Sequence, residues 1–510
     1  MSSDSSVTKR PSEDESRDDT VAPAGPEVTK MDEVSTAQSQ ESMVMIGEQQ
    51  LDQDVIEDNL LNEDPVDLGV QSQSPAMMDE DVLLEEEKED ESMAVTKMVD
   101  EQSTEAIEDM FMENVETAQI DDQSETQSAG YEQDYFQSFA AHEVGRCSWD
   151  KAAKQNYVRG CLWSPDGSCV LTAVNNDGMH VFELPSDLYG VQEVSPQRPV
   201  NLLDSAVHVR ETTLVYDYKW YPGMHSSMPE TSVWIASRQH EPIQMWDAYT
   251  GKLRCSYKGY NAVDEVEAAL SLTWSLDGGF IYGGYKKSIK TFDVKAPGRE
   301  ISSFPTKVTA SCMTICSPLP NLLIFGSWSR SITALATNSN QTIPVGNNSL
   351  DCSHNAGVTW LRFIPRTNLF ASGGRKDSKL MLWDIRNLEK PYHVLERTCD
   401  TNQRVYFDAS PYGEWLGTGT TDGIVRVWNL RDIDAVSKSY RKYDFPLHRD
   451  CCNGVSFHPS RPIVATTSGQ FHPNVSDDSF DEQQQQTDKP QQEAENSLTL
   501  WWIGKAISEE

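Results

Sequence analysis

The chain is 510 residues long and carries 42 Lys+Arg against 80 Asp+Glu, a formal net charge of −38. A uniform surface of that sign would repel nucleic acid and anionic membranes. The charge is segregated, however: residues 1–140 hold 39 acidic and 6 basic side chains, whereas 141–510 hold 41 and 36, so the exclusion applies to the first part alone.

Residues 1–130 read as a disordered acidic tail. Low hydrophobicity with high net charge cannot offset the entropy of ordering a backbone, and all 13 Trp and all 10 Cys lie at or beyond Cys147. Within the tail, Ile107, Met110, Phe111 and Val115 recur at helical spacing among acids, which suits either a segment that folds on a partner or plain solvated disorder. Lys9-Arg10 is a weak nuclear-import signal. The charged, Ser-rich opening reads against a signal peptide, and no stretch of about 18 apolar residues is present to span a membrane, so an intracellular soluble protein is expected. The cysteines show no paired CxxC or Cys/His zinc spacing. Cys312 and Cys316 have no second matching pair, and Cys451-Cys452 are adjacent, which suggests reduced thiols without metal or cofactor.

Residues 131–505 read as a repeat domain. One unit recurs from about residue 158: a short apolar strand, a Pro/Asp/Gly-type turn, a second strand ending in small residues, a polar loop, and a third strand ending in an aromatic. Clear copies are Cys161-Leu-Trp-Ser-Pro-Asp-Gly-Ser, Leu272-Thr-Trp-Ser-Leu-Asp-Gly-Gly, Trp360-Leu-Arg-Phe-Ile-Pro-Arg-Thr and Tyr406-Phe-Asp-Ala-Ser-Pro-Tyr-Gly. Third-strand landmarks fall at Phe182, Trp246, Phe292, Leu335, Trp383, Trp428 and Trp501, with insertions near 185–213 and 473–496, the latter expected to be disordered. The spacing, near 40–45 residues, predicts an all-β, seven-bladed WD40 β-propeller. Only eight residues follow Trp502, so the outer strand of the last blade must come from elsewhere, and the segment at about 135–149 is its donor.

In a propeller, the loops joining second to third strands and those entering each first strand share one face. Four consecutive blades place cations in the former: Arg238, Lys286, Lys287, Arg330, Arg375, Lys376 and Lys379, with Tyr285 and Trp328 as aromatics. The strand-entry loops add Asn402, Gln403, Arg404 and Arg449. A basic arc with interleaved aromatics suits single-stranded nucleic acid, because cations track phosphates and rings stack on bases. An acidic peptide or phosphopeptide would use the same charges. Equally, exposed loops carry charge in any protein, and Trp328 has a neighbouring blade to pack against. There is no phosphate-binding glycine loop, no G-x-S-x-G elbow and no H-E-x-x-H, so no catalytic residue and no enzyme is expected.

Several stretches are more specific than a generic propeller: Gly160-Cys-Leu-Trp-Ser-Pro-Asp-Gly-Ser-Cys, Val215-Tyr-Asp-Tyr-Lys-Trp-Tyr, Ile243-Gln-Met-Trp-Asp-Ala-Tyr-Thr-Gly-Lys-Leu-Arg, Thr401-Asn-Gln-Arg-Val-Tyr-Phe-Asp and Asn453-Gly-Val-Ser-Phe-His-Pro-Ser-Arg-Pro. Over about 150–505 they closely resemble the telomerase Cajal body protein family. The resemblance implies an RNA-binding scaffold that takes small Cajal body RNAs of H/ACA type through the single-stranded CAB box. Telomerase RNA would be included where the lineage has it. It also implies delivery to nuclear Cajal bodies, with a cytoplasmic pool, and partners such as dyskerin-type H/ACA proteins, coilin and the survival-of-motor-neuron complex. Arg404 and Tyr406 are the matching positions most suited to RNA, although Tyr406 also reads as an inward-facing strand residue. The fourth repeat departs from the pattern, having Ala334-Leu335 in place of Trp-Asp. The alternative from another class is a WD40 protein–protein adaptor, a ubiquitin-ligase substrate receptor or chromatin-associated scaffold, with no RNA contact. In the RNA-binding reading, the acidic tail could also compete with RNA for the basic face.

Overall fold

The computed structural model describes residues 140–149, 156–210, 213–347, 352–434, 437, 439–472 and 494–507. The tail 1–130, its 105–116 stretch, the Lys9-Arg10 pair and nearly all of the 473–496 insertion lie outside the described residues.

Strand β1 (His142–Ser148) precedes seven four-stranded units. The first unit comprises β2 (Val158–Trp163), β3 (Cys169–Val174), β4 (Gly178–Glu183) and, after the short β5 (Asn201–Leu202), β6 (Ser205–Arg210). The second is β7 (Val215–Trp220), β8 (Val233–Arg238), β9 (Ile243–Asp247) and β10 (Leu253–Tyr257), followed by a small hairpin of β11 (Gly259–Tyr260) and β12 (Val266–Glu267). The third is β13 (Ser271–Trp274), β14 (Phe280–Gly284), β15 (Ser288–Asp293) and β16 (Ser302–Pro305). The fourth is β17 (Ala310–Ile315), β18 (Leu322–Ser327), β19 (Ile332–Ala336) and β20 (Gln341–Val345). The fifth runs β21 (Val358–Phe363), β22 (Leu369–Gly374), β23 (Lys379–Asp384) and β24 (His393–Glu396). The sixth runs β25 (Phe407–Ala409), β26 (Trp415–Thr418), β27 (Ile424–Ile433) and β28 (Tyr440–Pro446). The seventh joins β29 (Cys452–Phe457), β30 (Ile463–Ser468) and β31 (Ser497–Trp502) to β1, which pairs antiparallel with β31. The molecule is therefore a seven-bladed propeller whose last blade holds strands from both ends of the repeat domain.

Burial explains which strand lies where. The first strand of each blade faces the axis, and β29 is buried at every position. The outermost β28 buries one residue and leaves its alternate side chains to solvent, as a one-faced strand must. Small residues ending the second strands let neighbouring blades close: a Cβ on Gly284 would sit 2.3 Å from Ser271 Oγ and 2.8 Å from the Ala310 Cβ of the next blade.

A ring of side-chain to backbone bonds links every adjacent pair of inner strands. Tyr218 donates to the Arg159 carbonyl (3.0 Å), and Asp217 accepts from Leu272 N–H (2.9 Å). Ser271 donates to the Ala310 carbonyl (2.7 Å) and Ser311 to that of Val358 (2.5 Å). Trp360 Nε1 donates to the Phe407 carbonyl (3.0 Å), Asp408 accepts from Phe457 N–H (3.0 Å), and Asn453 Oδ1 accepts from Gly160 N–H (3.3 Å), which closes the circle. Two blades add a buried relay. His354 bridges Asp377 (2.6 Å) and Ser372 (2.8 Å), and Ser372 receives Trp383 Nε1 (2.9 Å). His448 bridges Glu495 (2.9 Å) and Thr466 (2.7 Å), which receives Trp501 Nε1 (2.8 Å). In the fourth blade Leu335 replaces the tryptophan and Phe325 takes the register position that Ser372 and Thr466 hold in their blades, so two apolar side chains stand where the relay's polar groups would.

The 185–213 insertion is in large part ordered. Its Leu188 and Val194 join the core cluster containing Val144 and Trp502. Strand β5 adds a fifth, parallel strand outside β1, and Val194 bridges Ala506. It thus covers the outer edge of the closing blade, the protection that a solvent-facing strand needs.

Candidate functional site

Strand order places the loops β8–β9, β14–β15, β18–β19 and β22–β23 on the same face as the segments that enter the first strands. Lys286, Lys287, Arg330 and Lys376 are exposed there, on three consecutive blades, and Arg449 is exposed on the entry to the seventh. Trp328, Arg375, Lys379, Asn402, Gln403 and Arg404 are half-buried. Local backbone bonds fix these loops. Lys376 N–H donates to the Thr401 carbonyl (2.9 Å), which brings the β22–β23 loop against the Asn402-Gln403-Arg404 segment, and Arg375 N–H donates to Gly357 (3.0 Å). Lys379 N–H is held by Asp377 Oδ1 (3.1 Å).

Two of the tips are strained. Arg330 and Lys376 have φ of 71° and 45°, as do Asn176 (58°) and His240 (63°) at the matching loops of the first two blades. That left-handed region disfavours residues with a Cβ, so each cation is displayed at some cost in stability.

Three expected contacts are corrected by their burial. Tyr285 is 0% exposed: its ring packs on Gly259 and Gly283, and Lys290 Nζ lies 4.2 Å from its centroid. No base can stack on it. Arg238 is buried and folds back on its own hairpin, donating to Gln244 and lying 5.5 Å from the Trp246 ring; burial lowers its pKa. Tyr406 faces inward, 4.5 Å from Trp360, and a Cβ on Gly160 (φ 77°) would fall 2.4 Å from its ring.

Arg404 has a different place from the other cations. It donates to Asp217 Oδ1 (3.3 Å) of the second blade and to the Ser311 carbonyl (3.2 Å) of the fourth, while its own chain enters the sixth. Its guanidinium also lies over Trp360 and Tyr406, at 5.5 and 5.7 Å. It therefore reaches across the axis and ties three blades together. Lys219 lies beside it, 3.5 Å from Asp217 and 3.8 Å above Trp360. Burial holds this amine down at about 8, against the pull of Asp217 and with the help of Arg404 and Arg362.

Toward the opposite face the axis widens into a cavity of about 440 Å³, lined in part by Trp163, Trp220, Trp274, Trp360, Lys219 and Arg362. None of the fourteen residues singled out in the sequence for RNA lines it. The axial group escaped the sequence because its members lie far apart in the chain; Asp217, already conspicuous in Val215-Tyr-Asp-Tyr, was the available signal. Among the described residues, metal-type donors gather at Asp177, His180 and His208.

The WD domain, G-beta repeat model matches residues 348–384 and 394–429. Among curated proteins, the chain is 43% identical to the telomerase Cajal body protein 1 homolog of Drosophila melanogaster, over 73% of this chain and 70% of the relative. It is 36% identical to telomerase Cajal body protein 1 of Mus musculus, over 75% and 73%. The human protein of that name is 37% identical, over 70% of this chain and 66% of its own length.

Proposed function

Because the chain belongs to the telomerase Cajal body protein family, we propose that its propeller is an RNA-binding scaffold of nuclear Cajal bodies. It takes small Cajal body RNAs of H/ACA type through the single-stranded CAB box, with telomerase RNA among them where the lineage has one, and brings the ribonucleoprotein to the Cajal body. The observation that carries this reading is the display of Lys286, Lys287, Arg330 and Lys376 on one face of three consecutive blades. Cations so placed track a phosphate backbone, and the half-buried Trp328 between them offers a ring edge to a splayed base. Arg375, Lys379 and Asn402 flank the same path, whereas Arg404 acts from behind by holding the axis in shape. Dyskerin-type proteins, coilin and the survival-of-motor-neuron complex are the protein partners this role calls for.

Crosslinking and sequencing of RNA bound to the chain in cells tests the proposal. Enrichment of H/ACA-type Cajal body RNAs is the expected result. Recovery of no RNA class, with proteins alone captured, overturns it in favour of a protein–protein adaptor.

A further inference from the structure

The first blade carries a set of donors that the RNA reading does not use. His180 on β4 and His208 on β6 are direct cross-strand partners, so their rings stand side by side, stacked with centroids 4.0 Å apart. Asp177, in the loop before β4, points its carboxylate at both: Oδ2 lies 3.1 Å from His180 Nε2 and Oδ1 lies 3.4 Å from His208 Nε2. One ligand atom from each of the three residues falls within 4.8 Å of the others.

The hydrogen bonds around His180 decide what the cluster lacks. Ser205 Oγ has one hydrogen and gives it to the Val207 carbonyl at 2.7 Å. Its contact with His180 Nδ1 at 3.2 Å is therefore one in which the serine accepts and Nδ1–H donates. His180 is 4% exposed, with the edge of Trp149 packed 5.5 Å from its ring. With Nδ1–H committed to Ser205, Nε2 is the ring nitrogen turned toward the Asp177 carboxylate, 3.1 Å away. A ring nitrogen and a carboxylate at that distance are reconciled by a proton or by a metal ion between them.

We propose that Asp177, His180 and His208 form a binding site for a first-row divalent transition-metal ion such as Zn²⁺. Two imidazole nitrogens and one carboxylate are the donor set such ions take, with a further position left to solvent. The Nδ1–H to serine bond is the outer contact that orients a ligating histidine. His208 Nε2 lies 2.9 Å from the Asp177 carbonyl, so ion binding exchanges that bond for a metal bond. Asp177 and His208 keep 28% and 26% of their side chains exposed, which leaves the ion an entry path from solvent. The site fastens β6 to the β3–β4 loop, on the same propeller face as the basic tips.

The test uses the full chain without an affinity tag, stripped with a chelator and titrated with Co²⁺, whose visible d–d absorption reports coordination. Zn²⁺ then displaces it, with metal content measured after dialysis. The expected result is one ion per chain, with affinity reduced at least tenfold in Asp177→Asn and in His208→Ala. The exposed control His225→Ala should leave it unchanged, and Zn²⁺ should raise the Tm of the wild type but of neither site variant. Absence of stoichiometric binding, or equal binding by His208→Ala, overturns the proposal and leaves Asp177 and His180 sharing a proton. His208 is partly exposed and Asp177→Asn preserves shape, so both variants should fold; circular dichroism matching the wild type confirms it.

Discussion

Lys286 and Lys287 occupy a hairpin tip where neither is buried, and the backbone of that turn is held by bonds that need no lysine side chain: Tyr285 N–H donates to Ser288 (2.8 Å) and Thr306 N–H to Lys287 (2.9 Å). The double variant Lys286→Glu, Lys287→Glu should therefore weaken binding of a CAB-box oligonucleotide severely while moving the Tm little, as fluorescence anisotropy and calorimetry will show. Arg330 and Lys376 separate display from stability in the other direction. Each holds a left-handed φ, which costs about 1–2 kcal/mol with a Cβ present, less the extra unfolded-state entropy of a glycine. Arg330→Gly or Lys376→Gly should thus stabilise the fold by about 0.5–1 kcal/mol yet weaken RNA. Denaturant unfolding and anisotropy on the same samples will separate the two effects. The cations were legible in the sequence because hairpin tips are a local signal. Tyr285 and Arg238 were not, since their burial depends on Gly259 and on Trp246, which a motif does not reveal.

Strands and turns are the level at which the sequence was clearest. Each of the landmarks from Phe182 to Trp501 falls in the third strand of its blade, because a tight turn, a small-residue strand end and a terminal aromatic are each written within ten or so residues. The buried relays were less legible: His448, Thr466, Glu495 and Trp501 meet only after a long loop has been spanned. That relay makes the closing blade sensitive to acid. Burial alone would raise the Glu495 pKa, but bonds from His448, Arg449 N–H and Ser497 outweigh it and lower it from 4.5 to about 2. A carboxyl depressed in the folded state contributes stability above its unfolded pKa, and that contribution is lost as pH falls from about 4.5 toward about 2. Glu495→Gln should flatten stability across this window, measured by urea unfolding at stepped pH. Strand β1 is the second liability, since it lies between β31 and β5. A chain beginning at residue 131 should fold, and one beginning at 150 should expose the β31 edge and aggregate, as size-exclusion chromatography will distinguish.

At the scale of the molecule, the net charge of −38 does not describe the face of the repeat domain proposed to bind RNA. The repeat domain is nearly balanced, and Lys286, Lys287, Arg330 and Lys376 stand exposed where the loops of its third to fifth blades emerge. Each phosphate neutralised on a single strand contributes about −0.7 to the slope of log affinity against log salt. Lys286, Lys287, Arg330 and Lys376 engaged together therefore give a slope of roughly −3, and the double lysine reversal should bring it to about −1.5 or shallower. A protein-only adaptor would show no such dependence for RNA. The acidic residues 1–140 add a competing polyanion on the same chain. If they occupy the basic face, removing residues 1–130 should raise RNA affinity most at low salt, where the two polyanions compete hardest, and the difference should fade as salt screens both. Equal affinity with and without the tail at every salt concentration would leave the loops as the sole electrostatic determinant of binding and end the competition model.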